Sequence, residues 1–177
     1  PIAIDGKEMG LVNAFNEANR LGGRHAVGIG THTVENRFVG VKSRGIYEAP
    51  GMELLGQSYE YLLQMVLDRR ARLLFQHLSQ TISTQIYEGY WLDLATTSAL
   101  AALEPMTKQA SGTVTLRLYK GTVSFESVED VANSLYTDDS SMEAEGDYDH
   151  LDAEGFLRIH GVAAKSFGTR QFPSTGR

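Results

Sequence analysis

The chain has 177 residues and no cysteine, with 42% hydrophobic residues, 21% charged residues and a formal net charge of −6. That length suits one domain whose core needs no staples. The missing thiols remove disulfides, thiolate nucleophiles and cysteine-based zinc sites together, and fit a reducing cytosol. The negative balance speaks against a general nucleic-acid binder, no apolar run approaches a membrane span, and the opening Pro1-Ile2-Ala3-Ile4-Asp5-Gly6 has neither the basic nor the apolar region of a signal peptide.

Taken in order, Ile2-Ala3-Ile4 reads as a strand running into a turn at Asp5-Gly6. Nothing lies ahead of it to pair with, so the reading places the natural start further upstream. From Leu11 to Leu21 the period is helical, with Leu11, Phe15, Ala18 and Leu21 on one stripe and Gly22-Gly23 as the stop. Arg24 to Gly30 reads as a loop. Thr33 to Val39 reads as a strand, followed by a Lys42-Ser43-Arg44-Gly45 turn, Tyr47 and a stop at Pro50-Gly51. Alternation puts Val34 and Phe38 on one face of that strand and Glu35 and Arg37 on the other, so a carboxylate and a guanidinium stand about 6.5–7 Å apart.

Three helices are expected next. Leu54, Leu55, Tyr59, Leu62, Leu63 and Val66 mark the first. Asp68 caps the second, which carries Leu73, Leu74, Leu78, Ile82 and Ile86 and stops near Gly89. Asp93 caps the third, with Ala95, Leu100 and Leu103 packing and Pro105 ending or kinking it. Gly112 then opens a hairpin in which Val114, Leu116 and Leu118 alternate with polar neighbours, and Lys120-Gly121 turns the chain into Thr122-Val123-Ser124-Phe125. Residues 138–154 read as an acidic surface loop and Phe156 to His160 as a last strand. The fold class is α+β: antiparallel sheet with hairpins packed against long helices, a core to about residue 160, and an arm over 161–177.

Most candidate chemistry fails on spacing. Gly28-Ile29-Gly30 precedes a strand rather than a helix and lacks the third glycine of a phosphate cradle. His32 and Glu35 fall on opposite faces of the expected strand, which leaves no metal site there. Asp147-Tyr148-Asp149-His150-Leu151-Asp152 puts Leu151 and Asp152 where a calcium loop needs an oxygen ligand and a glycine. No Ser-His-Asp spacing stands out, and His77 and His160 lie in apolar patterns that suit packing. Glu35, Arg37, Lys42, Ser43, Arg44 and Tyr47 remain. They form either a structural ion-pair network on a strand and turn, or a site for a small zwitterion in which a carboxylate meets an ammonium and a tyrosine hydroxyl fixes a polar end.

Six blocks resemble argininosuccinate synthase in the same order: Gly22-Gly23-Arg24-His25, Val34-Glu35-Asn36-Arg37-Phe38, Lys42 through Glu48, Leu118-Tyr119-Lys120-Gly121, Asn133-Ser134-Leu135-Tyr136 and Asp152-Ala153-Glu154-Gly155-Phe156. The resemblance covers nearly the whole chain but only the C-terminal half of that enzyme. Two departures stand out. The family's usual Tyr-Glu-Thr-Pro-Gly-Gly reads Tyr47-Glu48-Ala49-Pro50-Gly51-Met52. Its usual Gly-Val-Gly-Arg reads Ala26-Val27-Gly28-Ile29, after which Gly30-Thr31-His32 fits only with an inserted residue.

The resemblance implies a synthetase and multimerisation domain of an ATP-dependent ligase that joins L-citrulline to L-aspartate, in the cytoplasm and as a homotetramer. It implies citrulline contacts from Glu35 and Tyr47, with Arg37, Ser43 and Arg44 as supporting residues, and no catalytic or metal-binding residue on this chain. ATP, with Mg, would bind an N-terminal domain whose Ser-Gly-Gly-x-Asp-x-Ser loop does not occur here, so the chain alone is expected to be inactive. The alternatives are a stand-alone, non-catalytic oligomerisation module and one half of a split ligase.

Overall fold

The computed structural model of the chain describes residues 2–36, 40–137, 140, 149 and 151–171, with residues 31–36 and 169–171 described by their backbone. The described chain divides into two compact units, Pro1–Leu135 and Tyr136–Arg177. It is α+β, as expected, but its strands do not assemble into one sheet. Among the described residues they form three separate two-stranded antiparallel hairpins.

In the first unit, β1 (Ala3–Ile4) and β2 (Lys7–Glu8) pair around Asp5-Gly6, whose φ values are 50° and 73°. Two left-handed central residues make the tight turn that matches strand twist. The strand expected to lack a partner is thus paired from within the chain. Helix α1 (Leu11–Arg24) buries Ala14, Ala18 and Gly22, and runs through the two glycines expected to stop it. It ends instead where the Ala26 N–H donates to Gly23 O and the Val27 N–H to Gly22 O, the double bond of a Schellman cap, with Ala26 left-handed at φ 56°. Gly22 has a packing reason: a β carbon there would stand 2.8 Å from Pro50 Cβ.

Helix α2 (Pro50–Val66) lies on α1 and buries Leu54, Leu63 and Val66. Its N-cap position is Ala49, whose methyl group cannot accept a hydrogen bond. Asn19 Oδ1, from α1, accepts the Gly51 N–H at 2.8 Å in its place. Helix α3 (Arg69–Glu88) starts at the expected cap, Asp68 Oδ1 accepting from the Ala71 N–H at 2.7 Å, and stops at Gly89. Helix α4 (Leu94–Thr107) packs on α3, through a stripe that differs from the expected one. Thr96, Ala99 and Leu103 are buried, whereas Ala95 and Leu100 are exposed. The Thr96 hydroxyl satisfies itself by donating to Tyr90 O at 2.7 Å. Pro105 does not end α4, which continues to Thr107. Two buried clusters, around Leu63 and around Ile82, share Phe75 and Met106 at their margins.

The hairpin of β5 (Thr113–Tyr119) and β6 (Thr122–Glu129) is the one expected, turning at Lys120-Gly121 with φ of 45° and 83°. Val114, Leu116 and Leu118 share its covered face, against α2, and the Phe125 ring meets Tyr61 at 4.6 Å between centroids.

The second unit is one helix, α5 (Leu151–Gln171), for most of its described length. The strand expected over Phe156 to His160 is therefore helical, and the helix continues through much of the expected arm. Local chemistry explains this. Ala153, Glu154, Ala163, Ala164 and Lys165 are helix formers. Arg158 pairs with Glu154 one turn away, and the Phe156 and His160 rings meet at 4.3 Å on the same spacing. His77 and His160, expected to pack, are both exposed. Most of the acidic segment 138–154 lies outside the described residues.

Candidate functional site

The third hairpin carries the candidate site. It joins β3 (Ile29–Asn36) to β4 (Lys42–Glu48) in antiparallel register from Ile29 opposite Glu48 to Asn36 opposite Lys42. Both strand starts differ from the sequence reading. β3 begins four residues earlier than expected, and Lys42-Ser43-Arg44-Gly45 is strand rather than turn. The reversal falls between Asn36 and Lys42, where Gly40 is left-handed at φ 78°.

The base of the hairpin is fixed by backbone. The Ala49 N–H donates to Gly28 O at 2.9 Å, and the Gly121 N–H of the β5–β6 turn donates to His25 O at 2.5 Å. Val27, between them, is 1% exposed. Gly28 is left-handed at φ 73°, and a β carbon there would lie 2.8 Å from the backbone of Ala49 and Pro50. A side chain there would collide with backbone, so the turn at Gly28 has a structural reason for its glycine.

Along β3 the two-residue period breaks once. His32 stands opposite Gly45 and Glu35 opposite Ser43, so Thr33 and Val34 together face Arg44. This is a β-bulge. Gly45 and Ser43 belong to one face of β4, so strict alternation no longer assigns His32 and Glu35 to opposite faces.

On β4 the alternation is regular, and burial follows it: Ser43 and Gly45 are partly covered, while Lys42, Arg44 and Ile46 are exposed. Ser43, Gly45 and Tyr47 form one face. Arg44 belongs to the other, away from Ser43 and Tyr47. The Ser43 Oγ is buried and has no hydrogen-bond partner among the described residues. Tyr47, opposite Gly30, is 46% exposed. The hairpin thus brings Glu35 and Ser43 to one rung and sets Tyr47 four residues along, about 13 Å by strand rise. Arg37 lies outside the described residues.

Sequence reasoning passed over Gly45 as part of a turn. The available signal was a glycine in a run of strand-forming residues, two positions before a tyrosine, which marks a close approach. Elsewhere, a groove of about 350 Å³ between α3 and α4 is lined by Ser79, Ile82, Ser83, Ile86, Leu100 and Leu103. It holds no ionisable side chain. Among the described residues no three His, Asp or Glu side chains come together as metal ligands, and no helix is long and apolar enough to cross a membrane.

The family described as the Arginosuccinate synthase C-terminal domain matches residues 1–167. An argininosuccinate synthase from Rhodopirellula baltica is 36% identical over 169 residues, which are 95% of this chain and 41% of that protein. The chloroplastic argininosuccinate synthase of Arabidopsis thaliana is 39% identical over 166 residues, 93% of this chain and 33% of that protein. Argininosuccinate synthase 1 of Rhizobium johnstonii is 39% identical over 172 residues, 96% of this chain and 42% of its own length. The chain therefore spans less than half the length of the curated relatives it matches. With the match running through both units and the hairpin, the chain belongs to the argininosuccinate synthase family, in the part its C-terminal domain occupies.

Proposed function

We propose that this chain is the citrulline-binding and assembly part of an argininosuccinate synthase, serving the ATP-dependent condensation of L-citrulline with L-aspartate in arginine biosynthesis. The observation that carries the reading is the register of the β3–β4 hairpin. Glu35 stands opposite Ser43, on a ladder whose β4 face also carries Tyr47. A carboxylate at one end and a phenol at the other suit a small molecule with an ammonium and further polar groups. Ser43 adds a hydroxyl that lacks a protein partner among the described residues. Arg44, on the opposite face, supports the strand rather than the ligand.

The nucleotide chemistry belongs to residues outside these 177, since the Ser-Gly-Gly-x-Asp-x-Ser phosphate loop does not occur in them. ATP and its Mg would bind there, and the chain alone would be inactive. The family's cytoplasmic homotetramer is the assembly we propose for the complete enzyme. On α5, Phe156, Leu157, Ile159 and Phe167 are each more than half exposed, a surface suited to subunit contact.

Glu35→Ala in the complete enzyme tests the ligand. Loss of a charge-assisted contact costs about 1.5–3 kcal/mol, read as a raised citrulline KM with ATP and aspartate KM unchanged. An unaltered citrulline KM would remove Glu35 from the site. Mixing this chain with a separately made nucleotide-binding part, and following pyrophosphate release, distinguishes a split ligase from a non-catalytic module.

A further inference from the structure

The Tyr47 ring does not stand straight off its strand. A β carbon built on Gly45 would lie 2.9 Å from Tyr47 Cε2 and 3.3 Å from both Cζ and Oη. The ring is therefore laid back along β4, over the glycine, with its hydroxyl at the level of residue 45. Side chains two apart on a strand share a face, and any β carbon at position 45 would occupy the space the ring takes. This conformation carries the phenol oxygen to within two residues, about 7 Å of strand rise, of the rung where Glu35 faces Ser43. Upright, the same hydroxyl would stand over its own rung, opposite Gly30, twice as far along the ladder.

We infer that Gly45 is a positioning residue for the candidate ligand site: it seats the Tyr47 ring and so sets the distance between the phenol and the Glu35–Ser43 rung. This rests on the citrulline reading of the hairpin. Through that distance Gly45 selects for the length of the bound amino acid, since the two polar ends must be met at once.

The consequence of adding a methyl group here is unusual among the glycines of this region. At Gly28 a β carbon would meet backbone, which cannot move without shifting the hairpin base. At Gly45 the three atoms it would meet first all belong to the outer end of the Tyr47 ring, on a side chain that is 46% exposed. An alanine at 45 should therefore act on the ring before it acts on the backbone.

The test uses the complete enzyme with Gly45→Ala, Tyr47→Ala and the double variant. KM is measured separately for citrulline, aspartate and ATP, with a thermal melt of each protein. The expected result is a citrulline KM raised about tenfold by Gly45→Ala, with aspartate and ATP KM moved less than about twofold. Its melting temperature stays near the parent's, and the double variant is no worse than Tyr47→Ala. The inference is overturned if Gly45→Ala leaves the citrulline KM unchanged while Tyr47→Ala raises it, or if the two effects multiply in the double variant, since Gly45 then does not act through the ring. If Tyr47→Ala itself leaves the citrulline KM unchanged, the citrulline reading of Tyr47 fails and takes this inference with it.

Discussion

Glu35 faces Ser43 across the β3–β4 ladder even though the two strands between them differ in length by one residue. Three steps separate His32 from Glu35 on β3, while two separate Gly45 from Ser43 on β4. A bulge is the only way to hold both pairs in register, and it stores the extra residue at Thr33–Val34. The sequence carries one residue more than the family pattern in the same stretch, ahead of Glu35. Deleting Thr33 should therefore close the ladder into plain two-by-two pairing and leave Glu35 opposite Ser43. We expect a citrulline KM within about threefold of the parent in the complete enzyme, because register on either side is unchanged. A loss as large as that of Glu35→Ala would show that the bulge itself shapes the site.

Ala26 occupies the left-handed position of the α1 cap at φ 56°, where a β carbon is strained and glycine is the usual choice. The family pattern has glycine at this place. Ala26→Gly should stabilise the chain by about 0.5–1 kcal/mol, the relief of strain being partly offset by the added freedom of the unfolded chain. A denaturant melt reads this directly, and destabilisation would contradict the cap geometry.

Asn19 caps α2 from another helix, through the Gly51 N–H at 2.8 Å, where the family's threonine is replaced by Ala49. Asn19→Ala should cost about 1 kcal/mol, as loss of a cap does. Adding Ala49→Thr to that variant should recover part of the loss, while adding it to the parent should gain little. Equal gains in both backgrounds would mean that the two side chains do not share the donor.

Asp68 accepts the Ala71 N–H, and this hydrogen bond holds its carboxyl below the ordinary aspartate range, with Arg70 adding a smaller attraction. A depressed native pKa contributes stability that is complete above the unfolded value and is lost as pH falls through the native one. The melting temperature of the parent should thus decline below about pH 4, with part of the decline belonging to this cap. Asp68→Asn keeps an acceptor and should remove that part of the acid dependence. Asp68→Ala should lower the melting temperature by a few degrees at pH 7 and by less at pH 3.

Local chemistry made much of this legible before any coordinates. Asp68 and Gly89 bound α3 as read, and the alternation of Val114, Leu116 and Leu118 described β5 correctly. What escaped was decided at a distance. Gly22 looked like a helix stop because its partner, Pro50, is remote in sequence. Lys42 to Gly45 looked like a turn because polar residues and a glycine usually make one, whereas pairing with β3 draws them into a strand. The run from Phe156 to His160 reads as strand over five residues and as helix over twenty, and the longer window governs. For the candidate site, Glu35 and Tyr47 were visible as polar residues out of place on a strand. The glycine between them was not, since its significance lies in where an aromatic ring folds.

The capping of α2 by Asn19 also bears on the order in which the chain assembles. A helix that carries its own cap can begin alone, but α2 has its first orphan N–H satisfied by a residue 32 positions upstream. During synthesis α1 emerges first, and Asn19 is already available when Gly51 leaves the ribosome. The bond from the Gly121 N–H to His25 O must wait until β5 and β6 exist. Folding should accordingly join α1 to α2 early, together with the Ala49–Gly28 bond at the base of the β3–β4 hairpin, and add the tie from the β5–β6 turn to His25 last.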